Sequence, residues 1–216
     1  MGMIRAAVFA CLAPGLAPGL AAAHPHIFVD ARVEVVISPE GLEAVRLTWI
    51  YDEFFSLLVT EDMGLDEDLD GTLTPPELEE LAAYVLAWPE GYGGDLTVSV
   101  GGEPVALGAR RETGFDFVEG RMVETHLRAV RAPLDGPVTI RVFDPGYYTA
   151  YTVETPVTVT GGEGCEARIA RADILAATDM VEELLYAMPQ DEAEDFFPEV
   201  GEAFADTITV TCAGSS

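Results

Sequence analysis

Residues 26–51, HIFVDARVEVVISPEGLEAVRLTWIY, decide the fold. From His26 to Ser38 apolar and polar residues alternate, and β-branched types dominate: Ile27, Val29, Val33, Val35, Val36 and Ile37. That is the pattern of a strand with one buried face. Pro39-Glu40-Gly41 is a turn signal, and Leu42–Tyr51 reads as the return strand. The period then changes. Asp52 is a helix cap, and Phe54, Phe55, Leu57 and Leu58 follow at helical spacing towards Met63. After an acidic loop, Pro75-Pro76-Glu77 opens a second helix, with Leu78, Leu81, Ala82, Val85 and Leu86 on its apolar side, ending before Pro89.

Further along, strand patterns recur at Leu96–Val100, Pro104–Leu107, Phe115–Val118, Met122–Ala132, Val138–Phe143, Tyr147–Val153, Pro156–Thr160 and Cys165–Ala170. Residues 172–187 read as a helix and Phe204–Cys212 as a last strand. The expected class is therefore α+β, mainly β. An antiparallel, sandwich-like sheet carries an EF-hand-type helix–loop–helix insert at 52–88 and an acidic helical insert at 172–203. Residues 24–216 form one domain in this reading.

The chain has 216 residues, 38 Asp+Glu against 11 Lys+Arg, and a formal charge of −27; every basic residue is Arg. Such a charge repels phosphate, which excludes nucleic acid and anionic membrane surfaces as partners and favours divalent cations or basic proteins. Arg5, the apolar stretch Ala6–Leu20 and Ala21-Ala22-Ala23 read as a secretory signal peptide, 1–23, cleaved after Ala23. The stretch is too short and too Gly/Pro-broken for a membrane anchor, so no membrane insertion is expected after cleavage. Losing Arg5 takes the charge from −27 to −28. Cys165 and Cys212 then remain, an even pair that in an exported protein reads as a disulfide.

Asp66-Glu67-Asp68-Leu69-Asp70-Gly71-Thr72-Leu73-Thr74-Pro75-Pro76-Glu77 matches an EF-hand calcium loop across its twelve-residue span, with type and spacing agreeing at six places. A hard cation takes six to eight oxygens. Asp66, Asp68 and Asp70 offer carboxylates, Thr72 its carbonyl, Thr74 a hydroxyl directly or through water, and Glu77 closes the set. Gly71 makes the sharp turn, and Leu73 packs inward. Leu69 departs from the small or polar residue usual at position 4. An unpaired loop of this kind suits a structural site better than a signalling one.

The mature chain would begin His24-Pro25-His26, with a free amine beside two imidazoles that a strand directs to one side. Imidazole suits nickel, cobalt, zinc and copper. The square-planar amino-terminal motif is excluded, because Pro25 has no amide N–H to lose. His126 is the one other histidine and completes the candidate transition-metal set; the bland alternative makes it a sheet-surface residue. No phosphate loop, nucleophile elbow or zinc-protease motif occurs, and no enzyme activity is expected. An oxidative copper enzyme built on a terminal histidine would need a second histidine across its site, which only His26 or His126 could supply. Tyr147, Tyr148 and Tyr151 after Asp144-Pro145-Gly146 are a candidate aromatic patch.

The blocks A-H-P-H-I-F-V-D-A-R at 23–32, T-W-I-Y-D-E-F-F-S at 48–56, D-x-D-x-D-G at 66–71, F-D-P-G-Y-Y at 143–148 and F-A-D-T-I-T-V-T-C at 204–212 resemble the family named domain of unknown function 1007. The resemblance implies a periplasmic component of an uncharacterised transport system, often beside a membrane nickel/cobalt permease. His24 and His26 would lie in the family's amino-terminal pair and Asp66–Glu77 in its acidic loop. The expectation is a periplasmic metal-binding accessory for nickel, cobalt or zinc, with structural calcium. The alternative is a calcium-stabilised interaction module with no transition-metal role.

Overall fold

The computed structural model describes residues 25–189 and 198–213; the expected signal peptide, 1–23, and His24 lie outside them. The opening stretch forms the expected hairpin, β1 (Ile27–Ser38) and β2 (Gly41–Tyr51), paired antiparallel from Val29↔Tyr51 to Ser38↔Gly41. The odd-numbered residues of β1 from Val29 to Ile37 are buried, as the alternation requires. Gly41 sits at φ +129°, and a Cβ there would stand 2.3 Å from the Ala132 carbonyl oxygen, so only glycine fits this corner.

The following strands are β3 (Leu96–Val100), β4 (Glu103–Pro104), β5 (Arg110–Val118), β6 (Arg121–Ala132), β7 (Val138–Val142), β8 (Thr149–Val153), β9 (Thr158–Thr160), β10 (Cys165–Ala170) and β11 (Thr207–Cys212). One sheet runs β5-β6-β2-β1-β8, with β9 also on β1; the other runs β10-β11-β7-β3-β4. Their facing sides share one core, from Val33, Val35, Leu47 and Trp49 on the first sheet to Val98, Ile140, Ile208 and Val210 on the second. The molecule is thus mainly β with two packed sheets. It is not purely antiparallel, because β8 and β9 pair parallel to β1. The expected strand Pro104–Leu107 shrinks to the edge pair β4, where a proline lacking an N–H is tolerated. The last strand starts at Thr207, after a 3-10 turn over Gly201–Phe204.

Helix α1 (Glu53–Met63) is capped by Asp52, whose carboxylate accepts from the Phe55 N–H at 2.8 Å, and it ends on Gly64 at φ 69°. Helix α2 (Pro75–Val85) begins with Pro75 behind Thr74. Leu65, Leu81 and Met122 make a second, smaller core where this helix pair meets β5 and β6. Helix α3 (Ile174–Ala187) buries only Ala177 and leaves Leu175 and Tyr186 exposed. Cys165 and Cys212 face each other across β10 and β11 and form the disulfide. Among the described residues no helix is long and apolar enough to cross a membrane.

Candidate metal centre

The loop between α1 and α2 brings all six proposed oxygen donors together. Asp66, Asp68, Asp70, Thr72, Thr74 and Glu77 line one open depression. Ligand atoms of Asp66, Asp68 and Asp70 lie within 4.8 Å of one another, the only group of three or more His, Cys, Asp or Glu side chains among the described residues placed to share an ion. Asp66 is buried and organises the turn: its Oδ1 accepts from Asp70 N–H and its Oδ2 from Gly71 N–H, both at 3.1 Å. Gly71 turns at φ 75° and Leu69 at φ 54°. The second value explains why a small residue is preferred at position 4, since a γ-branched side chain is strained there. Leu73 packs into the smaller core, as its place in the loop predicts.

Glu77 ties the ends of the loop together. Its Oε2 accepts from the Thr74 N–H at 2.8 Å and hydroxyl at 2.6 Å, and its Oε1 from the Asp66 N–H at 3.3 Å. The Thr74 hydroxyl, followed by its N–H, holds the Glu77 carboxyl below the usual carboxylate range. The Thr72 hydroxyl and N–H do the same for Asp70. Both acids are thereby kept ionised, the form a hard cation requires. The donor set is all oxygen with three clustered carboxylates, which fits calcium.

The histidines do not converge. His26 is exposed at the start of β1, with its N–H on the Tyr148 carbonyl and its ring 4.8 Å from that of Tyr148. His126 is fully buried on β6, its ring 4.8 Å from Trp49 and 4.8 Å from Trp88. Strand register aligns His126 with Leu47 and Leu47 with Val33, seven residues along β1 from His26. At about 3.3 Å per residue the separation is roughly 23 Å, too far for one ion. His126 is therefore neither placed to share an ion with His26 nor a sheet-surface residue.

What surrounds His126 was not visible in the spacing of the sequence. On the inner face of β6, Glu124 is also fully buried, and its Oε1 accepts from Arg110 Nη1 at 3.1 Å. His126 Nδ1 approaches the same oxygen at 3.3 Å without hydrogen-bond alignment. Glu124 Oε2, both His126 nitrogens and Trp49 Nε1 are buried with no hydrogen-bond partner. Arg110 reaches this place because β5 begins five residues earlier than the pattern at Phe115 suggested.

A family model described as "Protein of unknown function (DUF1007)" matches residues 8–212. No curated protein matches the chain.

Proposed function

The chain belongs to the DUF1007 family of proteins of unknown function, and from that premise we propose an exported, periplasmic protein that binds calcium in the loop Asp66–Glu77 and serves as a metal-binding accessory to a nickel/cobalt or zinc transport system. The observation that carries the calcium reading is the convergence of six oxygen-bearing residues on one depression. Asp66, Asp68, Asp70, Thr74 and Glu77 would hold the ion through side chains and Thr72 through its carbonyl. Bound calcium would supply a cross-link between the exit of α1 and the entry of α2. Export after cleavage at Ala23 agrees with the disulfide and with the −27 charge, which favours cations near the surface.

The transition-metal part of the proposal rests on His24 and His26 and on a membrane permease as partner. The burial of His126, far from His26, favours a second reading in which the protein is a calcium-stabilised interaction module without a transition metal.

Calorimetric titration of the chain starting at His24 separates the two. Calcium should bind once, with a dissociation constant of roughly 0.1–1 mM, and Asp66→Asn with Asp70→Asn should abolish the binding. Calcium binding unchanged in that variant refutes the loop. In millimolar calcium, micromolar binding of Ni²⁺, Co²⁺ or Zn²⁺ that disappears in His24→Ala/His26→Ala supports metal delivery. Equal or no binding in both chains leaves the interaction module.

A further inference from the structure

Between the helix pair and the first sheet lies a cavity of about 330 Å³, away from the acidic loop. Its walls are aromatic: Tyr51 from β2, Phe55 from α1, Tyr84 from α2, Tyr92 from the segment after α2, and Tyr151 from β8. The volume lies at the lower end of the range for small-molecule sites, about 300–1,000 Å³.

Two of the hydroxyls at this cavity have already given up their protons. The Tyr92 and Tyr151 hydroxyls both donate to Asp95 Oδ2, each at 2.7 Å. A phenol that has donated its only proton can offer nothing but lone pairs. The half-buried Tyr51 phenol has its pKa raised by desolvation first, and then by the charges of Glu124 and Asp95, with Arg110 opposing them. The nearby donors are committed elsewhere. Arg110 is held by Glu124 and the Leu86 carbonyl, and Arg128 by the carbonyls of Gly108 and Gly93. No Arg lines the cavity, and the chain has no Lys. The wall thus offers π faces and phenol lone pairs polarised by Asp95 and no cationic side chain, a setting that suits a ligand bringing positive charge.

We infer that this cavity binds a small organic cation, an ammonium group on a short apolar body, with its head against the Tyr51, Tyr92 and Tyr151 rings, in the field of the Asp95 carboxylate that the Tyr92 and Tyr151 hydroxyls bond. The body lies against Phe55 and the aliphatic side chains of α1 and α2. This assignment is independent of calcium in the acidic loop.

The probes are choline and n-butylammonium, with 3,3-dimethyl-1-butanol as the uncharged isostere of choline, titrated calorimetrically at constant ionic strength. Choline should bind with 1:1 saturation, about tenfold or more tighter than the alcohol. Asp95→Asn should weaken it by about tenfold, and Tyr84→Ala, at a ring already 62% exposed, by severalfold without disturbing the fold. Glu79→Gln, on the exposed side of α2, should change nothing and separates a site from the general acidic field. The tripeptide Gly-Lys-Gly binding more tightly than n-butylammonium supports the site and identifies a partner's lysine as the source. The reverse order supports the site and identifies a free amine. Equal affinity for choline and its neutral isostere, no saturable binding of either cation, or an equal loss in Glu79→Gln overturns the inference.

Discussion

Arg110→Met tests whether the polar residues inside the sandwich are held by pairing. The Glu124 side chain is 0% exposed, and its Oε1 takes a hydrogen bond from Arg110 at 3.1 Å. At that distance, with an effective dielectric near 20, the attraction is about 5 kcal/mol, much of it offset by the cost of taking both charges out of water. The intact pair is therefore worth little net. Removing one partner is different, because the carboxylate stays buried without its guanidinium, and the loss expected is about 3–5 kcal/mol. Methionine retains an aliphatic stem to cover Trp88, where the guanidinium now lies 3.9 Å from the ring centre, so the charge is removed with less disturbance to packing. Urea unfolding, followed by fluorescence of Trp49 and Trp88, the only two tryptophans, reads the loss directly. Arg110→Met/Glu124→Gln should recover at least half of it, since a neutral amide is cheaper to bury, giving a coupling of about 1.5 kcal/mol or more. A loss below about 1 kcal/mol for Arg110→Met, or strict additivity in the double variant, would refute the reasoning.

Two further outcomes follow from backbone and phenol environments. Leu69→Gly should stabilise the chain, because relief of the left-handed φ of 54° returns about 1–2 kcal/mol against about 0.5–1 kcal/mol of added unfolded-state entropy; an unchanged or lower urea midpoint would contradict it. Desolvation raises the pKa of Tyr51, Tyr92, Tyr147 and Tyr151. A raised folded-state pKa means stability fully present below the unfolded tyrosine value, near 10, and lost as pH rises through the folded values. Absorbance at 295 nm should therefore show four of the seven tyrosines ionising late, in step with unfolding; a single titration near pH 10 with the fold intact would count against it.

The hairpin, both insert helices and the acidic loop were legible because each rests on a local rule: alternation in β1, the Asp52 cap, Pro75 at the start of α2, and donor spacing from Asp66 to Glu77. The disulfide was legible from parity alone. The parallel pairing of β8 and β9 with β1 was not, since nothing in a short strand's own residues states its direction. Nor was the facing of β6. Its residues Val123, Leu127 and Ala129 are as apolar as the Met122 and Val130 of the opposite set, so composition does not choose between the two faces. Long-range pairing chooses: Trp49 aligns with Glu124, and Leu47 with His126, so the even-numbered side chains turn inward.

That choice puts Glu124, His126 and Arg128 on the inner face of a sheet where hydrophobic side chains would pack at lower cost. The cost is concentrated in one place. Orphaned polar atoms of Glu124, His126 and Trp49 lie where the main core gives way to the smaller core under the helices. The insert is fastened there by polar contacts from both of its sides. The Ser56 hydroxyl of α1 accepts the Met122 N–H at 3.1 Å, Arg110 holds the Leu86 carbonyl beyond α2, and Trp88 packs against Trp49 and His126. The tyrosine cavity opens along the same seam, one strand row from Glu124. A chain under selection for stability alone would fill this position with leucine or valine. The orphaned polar atoms and the proposed cation cavity therefore share one boundary, where a ligand would account for a buried polar seam that the fold alone does not require.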